Sequence, residues 1–418
     1  MSGFVQRTLE AIDWDFAQPR SGYIPPPHWY PGTFVPALSD ALVEALTPAG
    51  GVVFDPYGGV GTTGWSAMRN ARSCHVADIN PVALLVAYAT TSLLALARSD
   101  RARANAALEA LGRAIGRNDD LFGNGGAFVE MPELDGIVEA LSAPSPGDML
   151  SRVVAGPPRW DALNVWMAPE TIVELAASMD KIQQSPSAYV RLLGICMISA
   201  TARSLNSQHA SWGHIADNVR PGELTAQNVH AATTRWLKRT KAFISAPLAT
   251  SPAPGLPLPK PHIHLRDWSK PDDDDARAGQ ADLLLSSPPY ADAIDYTLSQ
   301  RLSLYLLGYD DAAVQRLVAG EIGARRKRFK STSRTQWSNQ LCEALHAQVK
   351  WVKPEGTICL VLPHRDAGRG DGEDDLKATL GALGWQAFFE RHRSIHQAHT
   401  RQSWTSIKKE TILAFKSA

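Results

Sequence analysis

The chain has 418 residues, enough for two or three structural units and ample core. Its 44% hydrophobic and 20% charged residues are the balance of an ordinary soluble globular protein, and Lys+Arg and Asp+Glu are both 42, so any nucleic-acid binding has to come from a local patch. No basic start followed by an apolar run and no stretch of about 18 apolar residues stands out, which reads as a cytoplasmic chain without a membrane partner; four scattered cysteines without a CxxC pair read as buried thiols in a reduced compartment and argue against a structural metal site.

Taken in chain order, residues 1 to 30 read as irregular and aromatic-rich, ending in "YIPPPHWYPG", where three successive prolines favour extended backbone. "VPALSDALVEAL" has helical spacing. "GGVVFDPYGG" is a short β-branched run between glycines and reads as a buried strand. "TTGWSAMRNA" looks helical, "SCHVADINP" reads as a second strand ending in an acid, and residues 82–116 as one long or two shorter helices. From about residue 120 the pattern changes. "LFGNGGAF" and "SAPSPGDM" look loop-like, and helices are expected near 169–183, 187–203 and 224–244. Residues 246 to 261 hold six prolines and read as a linker or extended crossing. The α/β pattern then returns: "HIHLRDW" and "ADLLLSSPPY" as strands, "TLSQRLSLYLLG" as a helix, and "QWSNQLCEALHAQVKWV" as a helix before a turn and buried strand in "KPEGTICLVLP". "DLKATLGALG" reads as a helix, and "WQAFFERHRSI" and "KKETILAFK" as a closing antiparallel pair. Strands alternating with helices predict an α/β fold with a mostly parallel sheet. Residues 1–100 and 261–418 are expected to form one catalytic domain, and 101–260 a mainly helical insertion.

Two stretches carry chemistry. In "FDPYGGVGTTGW", Asp55 ends a strand, Gly58, Gly59 and Gly61 form the turn, and a helix opens at Thr62. Such glycines let a ligand approach the backbone, and the helix start offers free N–H groups. Asp78, 17 residues past Gly61, ends the next strand, where an acid commonly bonds a ribose hydroxyl. The spacing is neither GxGxxG nor a Walker loop, so a nucleoside without phosphates fits better than a dinucleotide. The plain alternative is a Gly-rich turn with a solvated carboxylate. In "SSPPY", Ser287 and the carbonyl of Pro289 are read as two acceptors and Tyr290 as a stacking platform, with Pro288 stiffening the turn. Two acceptors and a flat face suit the exocyclic amino group of a base; the alternative is a Pro-rich turn capping a core strand.

Together these motifs make the chain resemble S-adenosylmethionine-dependent DNA amino-methyltransferases, which modify N4 of cytosine or N6 of adenine. "DPYGGVGTT" is similar to the family's cofactor loop, with Tyr57 in place of phenylalanine, and "SPPY" to its catalytic motif. "HWYPGTFVPALSDALVEAL" resembles the segment that covers the methionine end of the cofactor. "VADINP" resembles the ribose-binding strand end and "HLRDW" the strand that reaches the cofactor adenine. The resemblance spans about 28–98 and 262–418 and implies a Rossmann-like methyltransferase sheet with helices on both faces. It implies that S-adenosyl-L-methionine is held by Tyr30, Pro31, Phe34, Asp55, Pro56, Tyr57, Gly59, Gly61, Thr62, Asp78, Ile79 and Asp267. Asp55 falls near the methionine amino group. Ser287, Pro288, Pro289 and Tyr290 hold a base flipped from the duplex, and methyl transfer is direct. No cysteine follows a proline, which excludes the C5-cytosine chemistry. Serine first in the motif favours N4-cytosine over N6-adenine. An RNA base methyltransferase and a catalytically silent DNA-binding subunit are the rivals.

For double-stranded DNA, "ARRKRFKSTSR" (324–334) has six basic residues and no acid. Arg325, Arg326, Lys327, Arg328 and Lys330 are the expected phosphate contacts, and Phe329 a wedge or a packing residue. "SLNSQHASWGHIADN" (204–218) offers Asn206, Gln208, His209, Trp212 and His214 for base edges or as a helix-end loop. "PDDDD" (271–275) reads as an acidic surface turn. Asp292, Asp295 and Tyr296 line the base pocket or cap the next helix. The insertion is read as target recognition, or equally as scaffold or dimerisation unit. A restriction endonuclease or other defence partner is consistent with the family.

Overall fold

The computed structural model describes residues 2–16, 26–116, 131–208, 220–246, 248, 255–270, 277–291, 294–324, 333–364, 372–395 and 409–418. The first third contains α1 (Ser2–Glu10), α2 (Pro36–Leu46), β1 (Val52–Asp55), α3 (Thr62–Arg69), β2 (Ser73–Asp78), α4 (Pro81–Ser99) and α5 (Arg101–Ala114). The middle contains α6 (Met131–Leu141), α7 (Pro146–Val153), α8 (Trp160–Leu163), α9 (Pro169–Gln183), α10 (Ala188–Leu205) and α11 (Val229–Ser245). Then come β3 (Pro261–Leu265), β4 (Ala281–Ser286), α12 (Tyr296–Ser299), α13 (Arg301–Leu306), α14 (Asp311–Gly320) and α15 (Ser333–Gln348). The chain ends with β5 (Val352–His364), α16 (Glu373–Ala382), β6 (Trp385–Ser394) and β7 (Lys409–Ser417).

Seven strands form one sheet in the order β3-β2-β1-β4-β5-β7-β6. The pairs from β3 to β5 are parallel, and β7 runs antiparallel to both β5 and β6. This is the expected α/β Rossmann-like sheet, and the closing antiparallel pair is present as predicted. The order reverses between β1 and β4, and a crevice opens there at the carboxyl ends of the strands. Strand residues alternate between two cores. Val53, Leu283, Leu285, Val361 and Ile412 face the side that holds α4 and the insertion. Phe54, Leu284, Leu360 and Leu413 face the opposite core, which includes Leu341 of α15 and Leu376 of α16. Burial on both faces is why these strands read as continuous apolar runs.

Four local expectations differ. α1 lies where irregular chain was expected. "SAPSPGDM" opens α7: Ser145 Oγ accepts the Asp148 N–H and Pro146 sits in the first turn, so its turn-forming residues act as a helix start. "TLSQRLSLYLLG" splits into α12 and α13, and α14, capped by Asp310, had not been anticipated. Finally, α4 is long and apolar enough by length and composition to cross a membrane. Thr90, Thr91 and Ser92 interrupt its apolar run. Their hydroxyls donate back to the carbonyls of Val86, Ala87 and Tyr88, and the helix is buried in the core.

The helices of the middle third share that core. α10 packs on α4, α9, α11 and α13. Its start is fixed by Asp135 of α6, which accepts from the Ser187 hydroxyl and the Ala188 and Tyr189 amides.

Candidate functional site

The glycine loop is held by local bonds. Asp55 is buried, and its Oδ1 accepts the Tyr57 N–H at 3.1 Å and the Ser286 hydroxyl at 2.7 Å. Asp78 Oδ2 accepts the Gly59 N–H at 2.9 Å, and its Oδ1 the Asn80 N–H at 2.8 Å. The Trp268 indole N–H donates to the Pro56 carbonyl from across the cleft. Gly59 has φ +52° and turns its amide toward Asp78. Gly61 has φ +82°, and a Cβ there would lie 2.9 Å from Ala87 Cβ. Its lack of a side chain thus lets α3 lie against α4.

Burial pushes both carboxyls up to about 6. The Ser286 hydroxyl opposes the shift at Asp55, and the Asn80 and Gly59 amides oppose it at Asp78. At the far end Asp267 accepts from the Ser269 amide and hydroxyl and pairs with Lys270 at 3.2 Å. Burial works against ionisation there, but these bonds win and hold its carboxyl below the ordinary range.

The second motif follows β4. Ser286 is fully buried and bonds Asp55, tying the two motifs together 231 residues apart. Ser287 donates to the Tyr290 hydroxyl oxygen at 3.1 Å, and the Tyr290 O–H donates to Glu410 Oε1 at 2.9 Å. The Pro289 carbonyl accepts the Trp337 indole N–H at 2.7 Å, because α15 packs directly beneath the motif, which leaves it one further lone pair.

One cleft of about 910 Å³, open to solvent, gathers most of the residues singled out from the sequence. Tyr30, Phe34, Asp55, Pro56, Tyr57, Gly59, Thr62, Asp78, Ile79 and Asp267 line it together with Ser287 and Pro289. Pro31, Gly61, Pro288 and Tyr290 do not. Pro288 faces a smaller cavity behind the motif with Pro56, Tyr57 and Ser286. The wall also contains Tyr296 and Glu321; Tyr296 stacks near Tyr30 with ring centroids 6.3 Å apart, and Glu321 accepts the Thr297 N–H. Four carboxylates (Asp55, Asp78, Asp267, Glu321) and one guanidinium (Arg266) line the space. That balance repels phosphate and suits a cationic ligand with hydroxyl groups.

The segment 28–36 straps this cleft to the insertion. His28 Nε2 bonds Ser199 Oγ at 3.0 Å, and the Arg203 guanidinium lies 3.5 Å from the Trp29 ring centroid. Burial lowers His28 to about 4 against the pull of the Trp29 carbonyl, so the imidazole is neutral. A second cavity of about 720 Å³, also open to solvent, shares Tyr30, Thr33, Phe34 and Thr62 with the first and reaches Arg239 of α11.

Arg325, Arg326, Lys327, Arg328, Phe329 and Lys330 lie outside the described residues, as do His209, Trp212, His214, Asp292 and residues 271–275. The residues just before the basic segment are placed: Ala324 is buried, and a Cβ on Gly323 would lie 3.3 Å from the Tyr290 carbonyl. Asn206 is taken up locally, donating to the Arg203 carbonyl and accepting the Gln208 N–H. Among the described residues no group of three or more His, Cys, Asp or Glu is placed to hold a metal ion.

Reading the sequence missed Ser286, Trp268, Trp337, Glu321 and Glu410. Ser286 had a signal, since a doubled serine at the end of a strand puts one hydroxyl on each face. The others had none. No family model matches the chain, and no curated protein matches it. Among solved structures it is similar to the rRNA methyltransferase aviRa from Streptomyces viridochromogenes, at 12% identity and a TM-score of 0.31. The match covers 98% of this chain and 94% of that one. At that likeness the RNA belongs to that protein's description and not to this chain's.

Proposed function

We propose that the chain is an S-adenosylmethionine-dependent methyltransferase acting on the exocyclic amino group of a base in double-stranded DNA, with N4 of cytosine as the target atom. The observation that carries the reading is the convergence of the glycine loop, the Asp78 strand end and Ser287 and Pro289 of the second motif on one cleft at the reversal point of the sheet. The acidic lining fits a cationic, phosphate-free nucleoside. Asp78 keeps acceptor capacity beyond its two amides for ribose hydroxyls, and Asp55 and Glu321 offer negative charge to an ammonium or sulfonium.

When bound, S-adenosylmethionine supplies an electrophilic methyl group that departs from a sulfonium, leaving a neutral thioether. The chain's own part is to hold the amino nitrogen in line with it. Ser287 accepts one N–H, Tyr290 stacks on the ring, and the nitrogen sheds one proton to solvent as its new bond to carbon forms. Removing the base from the duplex exposes a nitrogen otherwise paired and stacked. Arg325, Arg326, Lys327, Arg328 and Lys330, six basic residues with Arg334 in a run of eleven without an acid, supply phosphate contacts. A restriction endonuclease or another defence protein is the partner this chemistry would protect DNA against.

Expression in a modification-free bacterium, followed by mass spectrometry of nucleosides from its DNA, tests the reading. N4-methylcytosine is the expected product. N6-methyladenine would keep the site and correct the base, and methylation confined to RNA would overturn the DNA assignment.

A further inference from the structure

Ser287, Tyr290 and Glu410 form a chain of three hydrogen-bonding groups whose direction is determined at one end. Glu410 Oε2 pairs with Arg393 Nη1, and Arg393 is buried and donates again from Nε to the Trp14 carbonyl at 3.0 Å. A carboxylate held by a guanidinium presents acceptors at both oxygens. The Tyr290 proton therefore points at Glu410 Oε1, 2.9 Å away. A phenol has one proton, so its oxygen is left as an acceptor and takes the Ser287 proton at 3.1 Å. Both lone pairs of Ser287 Oγ then face away from its only proton, and Ser287 lines the cleft.

We propose that Glu410 is a positioning residue that sets the direction of this relay and so turns Ser287 into an acceptor-only group toward a substrate N–H. A serine alone is ambivalent: its hydroxyl can rotate and donate. In this setting it behaves as an uncharged counterpart of a carboxylate. Burial and the Glu410 charge raise the Tyr290 phenol well above its ordinary range, so the relay keeps its proton at any working pH. Tyr290 is held through its hydroxyl in the same step, which orients the ring. The inference rests on the amino-group methylation reading, because it specifies how that site chooses a donor.

The test measures methyl transfer from labelled S-adenosylmethionine to genomic DNA of a modification-free bacterium, with cofactor affinity read separately by calorimetry. Tyr290→Phe keeps the ring and leaves the Arg393–Glu410 pair intact; Glu410→Gln alters the terminal acceptor. Each is expected to lower kcat/KM at least tenfold while cofactor Kd stays within about twofold. In a Ser287→Asp background, where the acceptor no longer depends on the relay, the same Tyr290→Phe change is expected to lower activity less than threefold. A merely structural role for the hydroxyl predicts equal losses in both backgrounds, and that result overturns the relay. Full activity of Tyr290→Phe overturns it as well. Wild-type protein that binds cofactor but methylates no DNA overturns the functional reading itself, and the relay with it.

Discussion

At the glycine-loop end of the cleft, Asp55 accepts an amide two residues on, and Asp78 takes amides two residues on and 19 residues back. At the motif end, Pro289 reaches 48 residues to Trp337 and Tyr290 reaches 120 to Glu410. The first end is made chiefly of main-chain donors around acidic side chains, with the Ser286 hydroxyl and the Trp268 indole reaching in from across the sheet. The second is made of side chains brought together by the sheet, with Glu410 on β7 and Trp337 on α15. A site tied to the local backbone tolerates change elsewhere in the fold, whereas one assembled across the sheet depends on the last strand being in register.

If that division is correct, substitutions at the two ends should separate binding from transfer. The largest effect is expected for Tyr290→Ala. Loss of base stacking is worth about 1–3 kcal/mol, and loss of the relay adds about 1 kcal/mol, so transfer should fall on the order of a hundredfold. Cofactor affinity by calorimetry should stay within a few fold; loss of cofactor binding instead would refute the stacking role. The mirror experiment is Asp78→Asn, which replaces a charged acceptor of two amides by a neutral group with its own donors. Cofactor Kd should rise about 10- to 100-fold, from about 1.5–3 kcal/mol for hydrogen bonds to a charged group. Transfer at saturating cofactor should change much less, and an equal fall in kcat would erase the distinction between the ends.

The same contrast explains what was legible in the sequence. Asp55, Gly59 and Asp78 stand at short, fixed separations around two strand ends, so a reader of the chain finds them together. The alternation of Val53 and Phe54, or Leu283 and Leu284, between two cores is likewise written in adjacent residues. Glu410 and Trp337 have no such marker: each is an ordinary residue in an ordinary element until β7 lies beside β5 and α15 packs under the motif. α4 was disguised by hydroxyl residues that satisfy themselves on their own helix. α7 was hidden because serine and proline serve turns and helix starts alike.

A smaller effect follows from protonation at the glycine-loop end. Folding lifts Asp55 and Asp78 from near 4 to about 6. A raised carboxyl contributes stability fully present below its unfolded value, and that contribution is lost as pH rises through about 6. A cationic ligand favours the ionised form, so binding near pH 6 should release protons. Protonating the carboxyl that faces the cation should raise cofactor Kd about tenfold between pH 7 and pH 5. Thermal stabilisation by cofactor should be larger at pH 7.5 than at pH 5. A Kd independent of pH would place the cation elsewhere in the cleft.

The smallest expected effect is the one that discriminates best at the motif end. Trp337→Phe keeps most of a buried ring and removes the N–H bonded to the Pro289 carbonyl. If that bond aims the motif, its loss releases about 1 kcal/mol of positioning and kcat should fall about fivefold, with cofactor Kd unchanged. If the carbonyl itself were the acceptor for the substrate amino group, the indole would compete for its lone pairs, and removing the indole should raise kcat. The two accounts give opposite signs in a single kinetic measurement. The fall is expected here, because the 2.7 Å bond already takes one lone pair of the carbonyl, whereas Ser287 Oγ has its one proton directed to Tyr290 and both lone pairs left over.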